Sequence, residues 1–139
     1  MTRSHRITVG PPGPLIQVGL NVGANQAASG LGGPPLSRTG LIDTGATRTA
    51  ISDAVYQALR PAASGRALYQ RPGLAQADVV TYAVRLNFEG HLSRNPWFDL
   101  RVVVADPATP GVDVLVGMDV LSQLVLFYEG ANGTMVLAY

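Results

Sequence analysis

The chain has 139 residues, enough for one hydrophobic core and too few for two of useful size. Hydrophobic residues make up 47% of it and charged residues only 14%, so much of its surface must be covered by its own chain or by a partner. The formal net charge is +1 and the arginines are scattered, which disfavours nucleic acid as a ligand; with no lysine and no cysteine, disulfides, thiol nucleophiles, Schiff bases and a P-loop lysine are excluded.

Residues 1–14 read as a flexible or edge segment with a short strand at Ile7 to Val9, and Pro11-Pro-Gly-Pro14 separates it from a second strand at Leu15 to Val22. The opening residues lack an apolar stretch of signal-peptide length, and no run approaches the roughly 20 apolar residues of a membrane helix. A cytoplasmic protein with no membrane partner is the expectation. Residues 23–39 are rich in Gly and Pro and read as a loop. Gly30-Leu-Gly-Gly33 runs into Pro34-Pro35 with no helix start or lysine, so a phosphate cradle is not expected.

Leu41 and Ile42 then lead into Asp43-Thr44-Gly45-Ala46, and Thr47 to Ile51 can extend. Ser52 is suited to cap a helix over Ser52 to Arg60, with apolar Val55, Tyr56 and Leu59 and a stop at Pro61. Ala67 to Arg71 and Asp78 to Phe88 flank the turn dipeptide Pro72-Gly73, which predicts a hairpin over about 67–88 with its tip around Arg71 to Gln76. Trp97 to Ala105 and Asp113 to Val116 are further apolar runs. A short helix over Asp119 to Gln123 follows, and Leu124 to Tyr128 and Thr134 to Tyr139 are strands joined by a turn at Glu129 to Gly133. The expected class is mainly β with one or two short helices, in a single domain over 1–139.

Asp43 is the residue that asks for a chemical explanation. A carboxylate flanked by apolar residues is costly to ionise unless something compensates, and two such groups sharing one proton would do so. An isolated Asp-Thr-Gly is ordinarily just a turn. Here it has a second element downstream, Val114-Leu-Val-Gly-Met-Asp-Val-Leu121. His5 and His91 are far apart in sequence without ligand-like spacing, so no metal or other cofactor is expected. The serines lack a Gly-x-Ser-x-Gly context, which leaves a serine hydrolase without support. Trp97 and Met118 read as core or interface residues.

An apolar-Asp-Thr-Gly-Ala motif, a hairpin, and then apolar-apolar-Gly-x-Asp-x-Leu together resemble the retropepsin-like aspartic peptidases, including their small bacterial members, over about Leu15 to Tyr139. The resemblance implies a closed β-barrel with a flap hairpin, active as a twofold-symmetric homodimer. Asp43 would be the catalytic residue, with Thr44, Gly45, Ala46, Leu115, Val116 and Gly117 supporting the active-site loop. Tyr69, Arg71, Pro72, Gly73 and Leu74 would belong to the flap and bind a peptide or protein substrate. Arg71-Pro-Gly-Leu-Ala75 departs from the glycine-rich tips of retroviral flaps. Asp119 reads as a helix cap or structural partner rather than a catalyst. In the family the terminal strands often interleave between subunits, a role that would fall to Thr134 to Tyr139.

No other aspartate is followed by Thr-Gly or Ser-Gly, so the second carboxylate must come from a second copy. Three readings are open: a homodimeric endopeptidase for extended, hydrophobic peptide segments, a catalytically silent dimer that binds peptides, and a structural β-domain with an accidental Asp-Thr-Gly. For the first, Ala46 has no hydroxyl to favour the charged carboxylate, as the Ser or Thr of pepsin-like relatives often does. The pH–rate profile should therefore peak at less acidic pH than that of pepsin-like enzymes; an optimum at about pH 2 would contradict this.

Overall fold

The computed structural model describes residues 3–70 and 73–139, and Arg71 and Pro72 of the expected hairpin tip lie outside the described residues. Strands β1 (Ser4–Gly10) and β2 (Gly13–Val22) are followed by helix α1 (Ala24–Ala28), strand β3 (Leu36–Ile42) and strand β4 (Ala50–Ile51). Helix α2 (Asp53–Leu59) leads to the hairpin arms β5 (Ala63–Tyr69) and β6 (Ala77–Asn87). The chain continues through β7 (Phe98–Val104), β8 (Val114–Val116), helix α3 (Met118–Leu121), β9 (Val125–Glu129) and β10 (Thr134–Ala138). The protein is thus mainly β with short helices. No helix among the described residues is long and apolar enough to cross a membrane.

The strand order is β5-β6-β7-β4-β8-β3-β2-β1-β10-β9, and β6 also pairs with β2. Pairings therefore run from β2 through β3, β8, β4, β7 and β6 and return to β2, around a core that includes Val18, Leu20, Val84, Leu86, Val102, Val114 and Val116. Strand β2 pairs with β3 over Leu15 to Leu20 and with β6 over Gly19 to Val22, and it is buried from Val18 to Val22, where the sequence suggested an alternating strand. Most of the circuit is antiparallel. The parallel pairs are β3 with β8 and β4 with β7, and they lie beside the Asp-Thr-Gly segment.

Local chemistry explains several element ends. The Ser52 hydroxyl accepts from the Val55 amide at 3.3 Å and caps α2, whose C-terminal end turns at Arg60 with φ 50°, just before Pro61. The base of the β5–β6 hairpin carries a register shift between Ala63 and Gly65. Gly65 has φ 145°, a conformation that L side chains rarely adopt, and the Arg101 guanidinium occupies the space where its Cβ would stand.

The structure departs from the sequence reading at three places. Residues 23–39, expected as a loop, contain α1 and the first residues of β3, because Leu36 and Arg38 find partners in Leu20 and Val18 of β2. The 1–14 segment is no edge: β1 lies between β2 and β10, paired with both. Nor does β10 offer a free edge for a second subunit, since β1 and β9 of its own chain flank it, and its Met135 and Leu137 are core residues. The sheet ends instead on β9.

Sequence spacing also concealed a contact between the two histidines, which stack with ring centroids 4.0 Å apart. Arg3 reinforces the contact: its amide donates to the Ser93 hydroxyl and its guanidinium to the Gly90 carbonyl at 3.0 Å. Partial burial, and then the charge of His91, hold the His5 imidazole below its usual value of 6.5. A folded-state value below the unfolded one means that the unfolded chain binds the proton more tightly, so this contact loses stability as pH falls through about 6.5. The melting temperature should drop between neutral and mildly acidic pH, and His91→Gln should shrink that drop; an equal drop in both proteins would contradict the assignment.

Candidate active site

Asp43 stands where the parallel pair β3–β8 ends. Leu41 faces Leu115 and Ile42 faces Val116, and the Asp43 amide then donates to the Val116 carbonyl at 2.9 Å. The chain turns at once. The Ala46 amide donates to the Asp43 carbonyl at 3.2 Å, and the Gly45 amide donates to Asp43 Oδ1 at 3.0 Å. One carboxylate oxygen is thus oriented by the turn that presents it, as an Asp side chain commonly accepts from the amide two residues on. The Asp43 side chain is half-buried, while Thr44 and Gly45 are exposed.

A second layer of contacts fixes the turn from beneath. The Met118 amide donates to the Ala46 carbonyl at 2.8 Å, and the Gly117 amide donates to Thr49 Oγ1 at 3.1 Å. Thr49 Oγ1 in turn donates to Asp119 Oδ1 at 2.7 Å, and the Thr49 amide reaches both carboxylate oxygens of Asp119 at 3.1 and 3.0 Å. Thr49 is fully buried, so these bonds are made away from competing water. A Cβ on Gly117 would lie 2.7 Å from the Arg48 carbonyl carbon and 2.9 Å from the Ala46 and Arg48 carbonyl oxygens. Only glycine permits that approach without moving backbone. Leu115, Val116 and Gly117 accordingly stand beside and beneath the loop, and Asp119 is a structural partner.

The loop has two faces. On one, Asp43, Gly45, Ala46, Thr47, Arg48 and Leu115 join Leu68, Tyr69, Gln70 and Gln76 of the hairpin around a cleft of about 560 Å³. On the other, Thr44 lines an apolar hollow of about 320 Å³ with Val9, Pro14, Ile42, Leu126, Tyr128 and Met135. Of the expected flap residues, Tyr69 reaches the Asp43 cleft; Gly73, with φ 75°, and the exposed Leu74 do not line it. The register Tyr69↔Ala77 is what brings Gln70 and Gln76 to the same end of the hairpin. The sequence reading missed Thr47, Arg48, Thr49, Leu68, Gln70 and Gln76. Alternation along β5 could have flagged Gln70 from Leu68, but nothing local marks Thr49 as the partner of Asp119.

Among the described residues, no group of three or more His, Asp or Glu side chains could hold a metal ion. The chemistry open to the site is that of a carboxylate on a hydrogen-bonded turn, beside a cleft of about 560 Å³.

Removing the Asp119 carboxylate strands the buried Thr49 hydroxyl and amide. Asp119→Ala should therefore reduce the unfolding free energy by about 1–3 kcal/mol in denaturant titration. An unchanged midpoint would show that the Thr49–Asp119 clamp contributes nothing.

Sequence comparison matches residues 36–123 to the family model described as "gag-polyprotein putative aspartyl protease". The match takes in β3, the Asp-Thr-Gly turn, the hairpin and the Gly-Met-Asp segment. No curated protein matches the chain. Among solved structures, the fold is similar to that of a retropepsin-like aspartic protease from Rickettsia conorii, with 16% identity and a TM-score of 0.55 over 100% of this chain and 92% of that one. It is also similar to an aspartic proteinase from Irpex lacteus, with 15% identity and a TM-score of 0.53, but the match spans 99% of this chain and only 46% of the fungal one. With its Asp-Thr-Gly turn seated on a Gly-x-Asp strand end and more than half its length matched, the chain belongs to the retropepsin-like aspartic protease family.

Proposed function

We propose that this protein is an aspartic endopeptidase that acts as a twofold-symmetric homodimer, with Asp43 from each copy forming the catalytic pair. The observation that carries the reading is a single Asp43 carboxylate, oriented by the Gly45 amide, in a cleft bordered by the hairpin. A lone carboxylate supplies one of the two roles that amide hydrolysis by this chemistry requires. In the paired site, the ionised Asp43 takes a proton from water as the water oxygen bonds to the scissile carbonyl carbon. The protonated Asp43 of the other copy gives its proton to the carbonyl oxygen. The first Asp43 then gives the proton it took from water to the amine nitrogen as the C–N bond breaks, while the second takes back a proton from a gem-diol hydroxyl as the new carboxyl group forms, so the pair again holds one shared proton. The circuit of strands from β2 back to β2 is, on this reading, the closed β-barrel of a half-enzyme.

Features on the other face of the loop support the pairing. The Thr44 side chain is exposed and makes no hydrogen bond among the described residues, so it is free to bond across a symmetric contact. Beside it lie Leu126 and Tyr128 of β9, and this end strand also exposes Val125 and Phe127. Exposed apolar side chains on an unpaired strand edge call for a cover. In place of the terminal strand, β9 thus becomes the contact strand of the dimer. The match to just 46% of the fungal proteinase fits a chain that carries one of two halves.

Substrate would lie extended in the cleft, hydrogen-bonded along its backbone, with Leu68, Ala46 and Leu115 favouring apolar side chains at the cut bond. The test compares wild type with Asp43→Asn on a mixed peptide library. Wild type should give pepstatin-sensitive cleavage, and the variant should lose it by about 10²–10⁴-fold. Equal cleavage by the two proteins would defeat the reading.

A further inference from the structure

The cleft holds one charged group that the hydrolytic step does not use. Arg48 lines it five residues after Asp43, and the position is fixed at the main chain. Its carbonyl packs over Gly117 and the next residue is the clamped Thr49. The side chain is anchored as well, since Nη1 donates to the Arg101 carbonyl at 3.0 Å. That bond occupies one of five N–H donors of a guanidinium. The ion pairs among the described residues are made by Arg6, Arg38 and Arg66, so Arg48 has no carboxylate partner there. Around it the lining is neutral apart from Asp43, the reacting acid, with Gln70 and Gln76 as further hydrogen-bonding groups.

We propose that Arg48 is a specificity-determining residue, which selects peptides carrying a Glu or Asp side chain close to the apolar pair at the cut bond. The proposal rests on the peptidase reading above and adds the substrate class. A guanidinium that lines a cleft without an ion-pair partner is well matched by a carboxylate, which it can grip through two parallel N–H bonds. Twofold symmetry would place one Arg48 on either side of the scissile bond, so acidic residues are favoured in both directions along the chain. Apolar contacts then hold the centre of the peptide and a charge fixes its register.

The test uses peptides that differ only in Glu against Gln at successive positions on each side of an apolar pair. Wild type should cleave the Glu peptide with kcat/KM about tenfold higher at one or more positions, mostly through KM, and salt should reduce the preference. Arg48→Gln should abolish the preference, Arg48→Lys should restore part of it, and Arg48→Glu should turn it toward Lys. Binding of the same peptides to Asp43→Asn, followed by fluorescence anisotropy, reports the preference without turnover. Arg48-dependent binding of Glu peptides with no cleavage by wild type would sink the catalytic reading and leave this one standing. Glu and Gln peptides handled equally by wild type, or a preference that survives Arg48→Gln, would overturn the role of Arg48.

Discussion

The loop from Asp43 to Thr49 packs against the strand end from Val116 to Asp119, and this packing positions the candidate site. The parallel ladder of β3 and β8 stops after Ile42 and Val116, and both chains must diverge there. Gly117 leaves backbone-sized room, which the Ala46 and Arg48 carbonyls fill. The Thr49 hydroxyl bridges the Gly117 amide and the Asp119 carboxylate, so groups that a reversal of chain direction would orphan are satisfied on the spot. Leaving any of them unpaired would cost about as much as losing a hydrogen bond to a buried group. The result is a turn with little freedom, carrying a carboxylate that the same turn orients.

Rigidity beneath the loop and openness on its two faces divide the labour. The Asp43 face meets the hairpin arms and forms a cleft of peptide-binding size. The Thr44 face meets the apolar hollow beside β9. Asp43 and Thr44, adjacent in sequence, thus line different hollows. In the proposed dimer, two copies paired through Thr44 and β9 would bring their Asp43 carboxylates together. In that dimer the pairing is the step on which function turns.

Much of the site could be read from local sequence. Asp43-Thr44-Gly45-Ala46 is contiguous, and Gly117 and Asp119 stand in a recognisable pattern with the apolar residues before them. The Ser52 cap and Pro61 stop marked α2 to within a residue because both act on their immediate neighbours. What escaped was non-local. Thr49 is one hydroxyl among several until the fold brings Asp119, 70 positions away, against it. Leu36 to Thr39 follow a proline pair and look like loop, and they become strand because β2 supplies the pairing. The same holds for β10, an end strand by sequence but an inner one in the sheet, and for His5 and His91, which meet across the fold.

If each copy contributes half of one catalytic pair, mixing two kinds of chain exposes it. Asp43→Asn chains added in increasing amounts to a fixed quantity of wild type, with time to exchange, form mixed dimers that hold one carboxyl and one carboxamide. Peptide cleavage should then fall steadily toward zero as the variant comes into excess, although the amount of wild-type chain is constant. A rate that stays level at every ratio would contradict it, because each wild-type chain would then carry a complete site of its own.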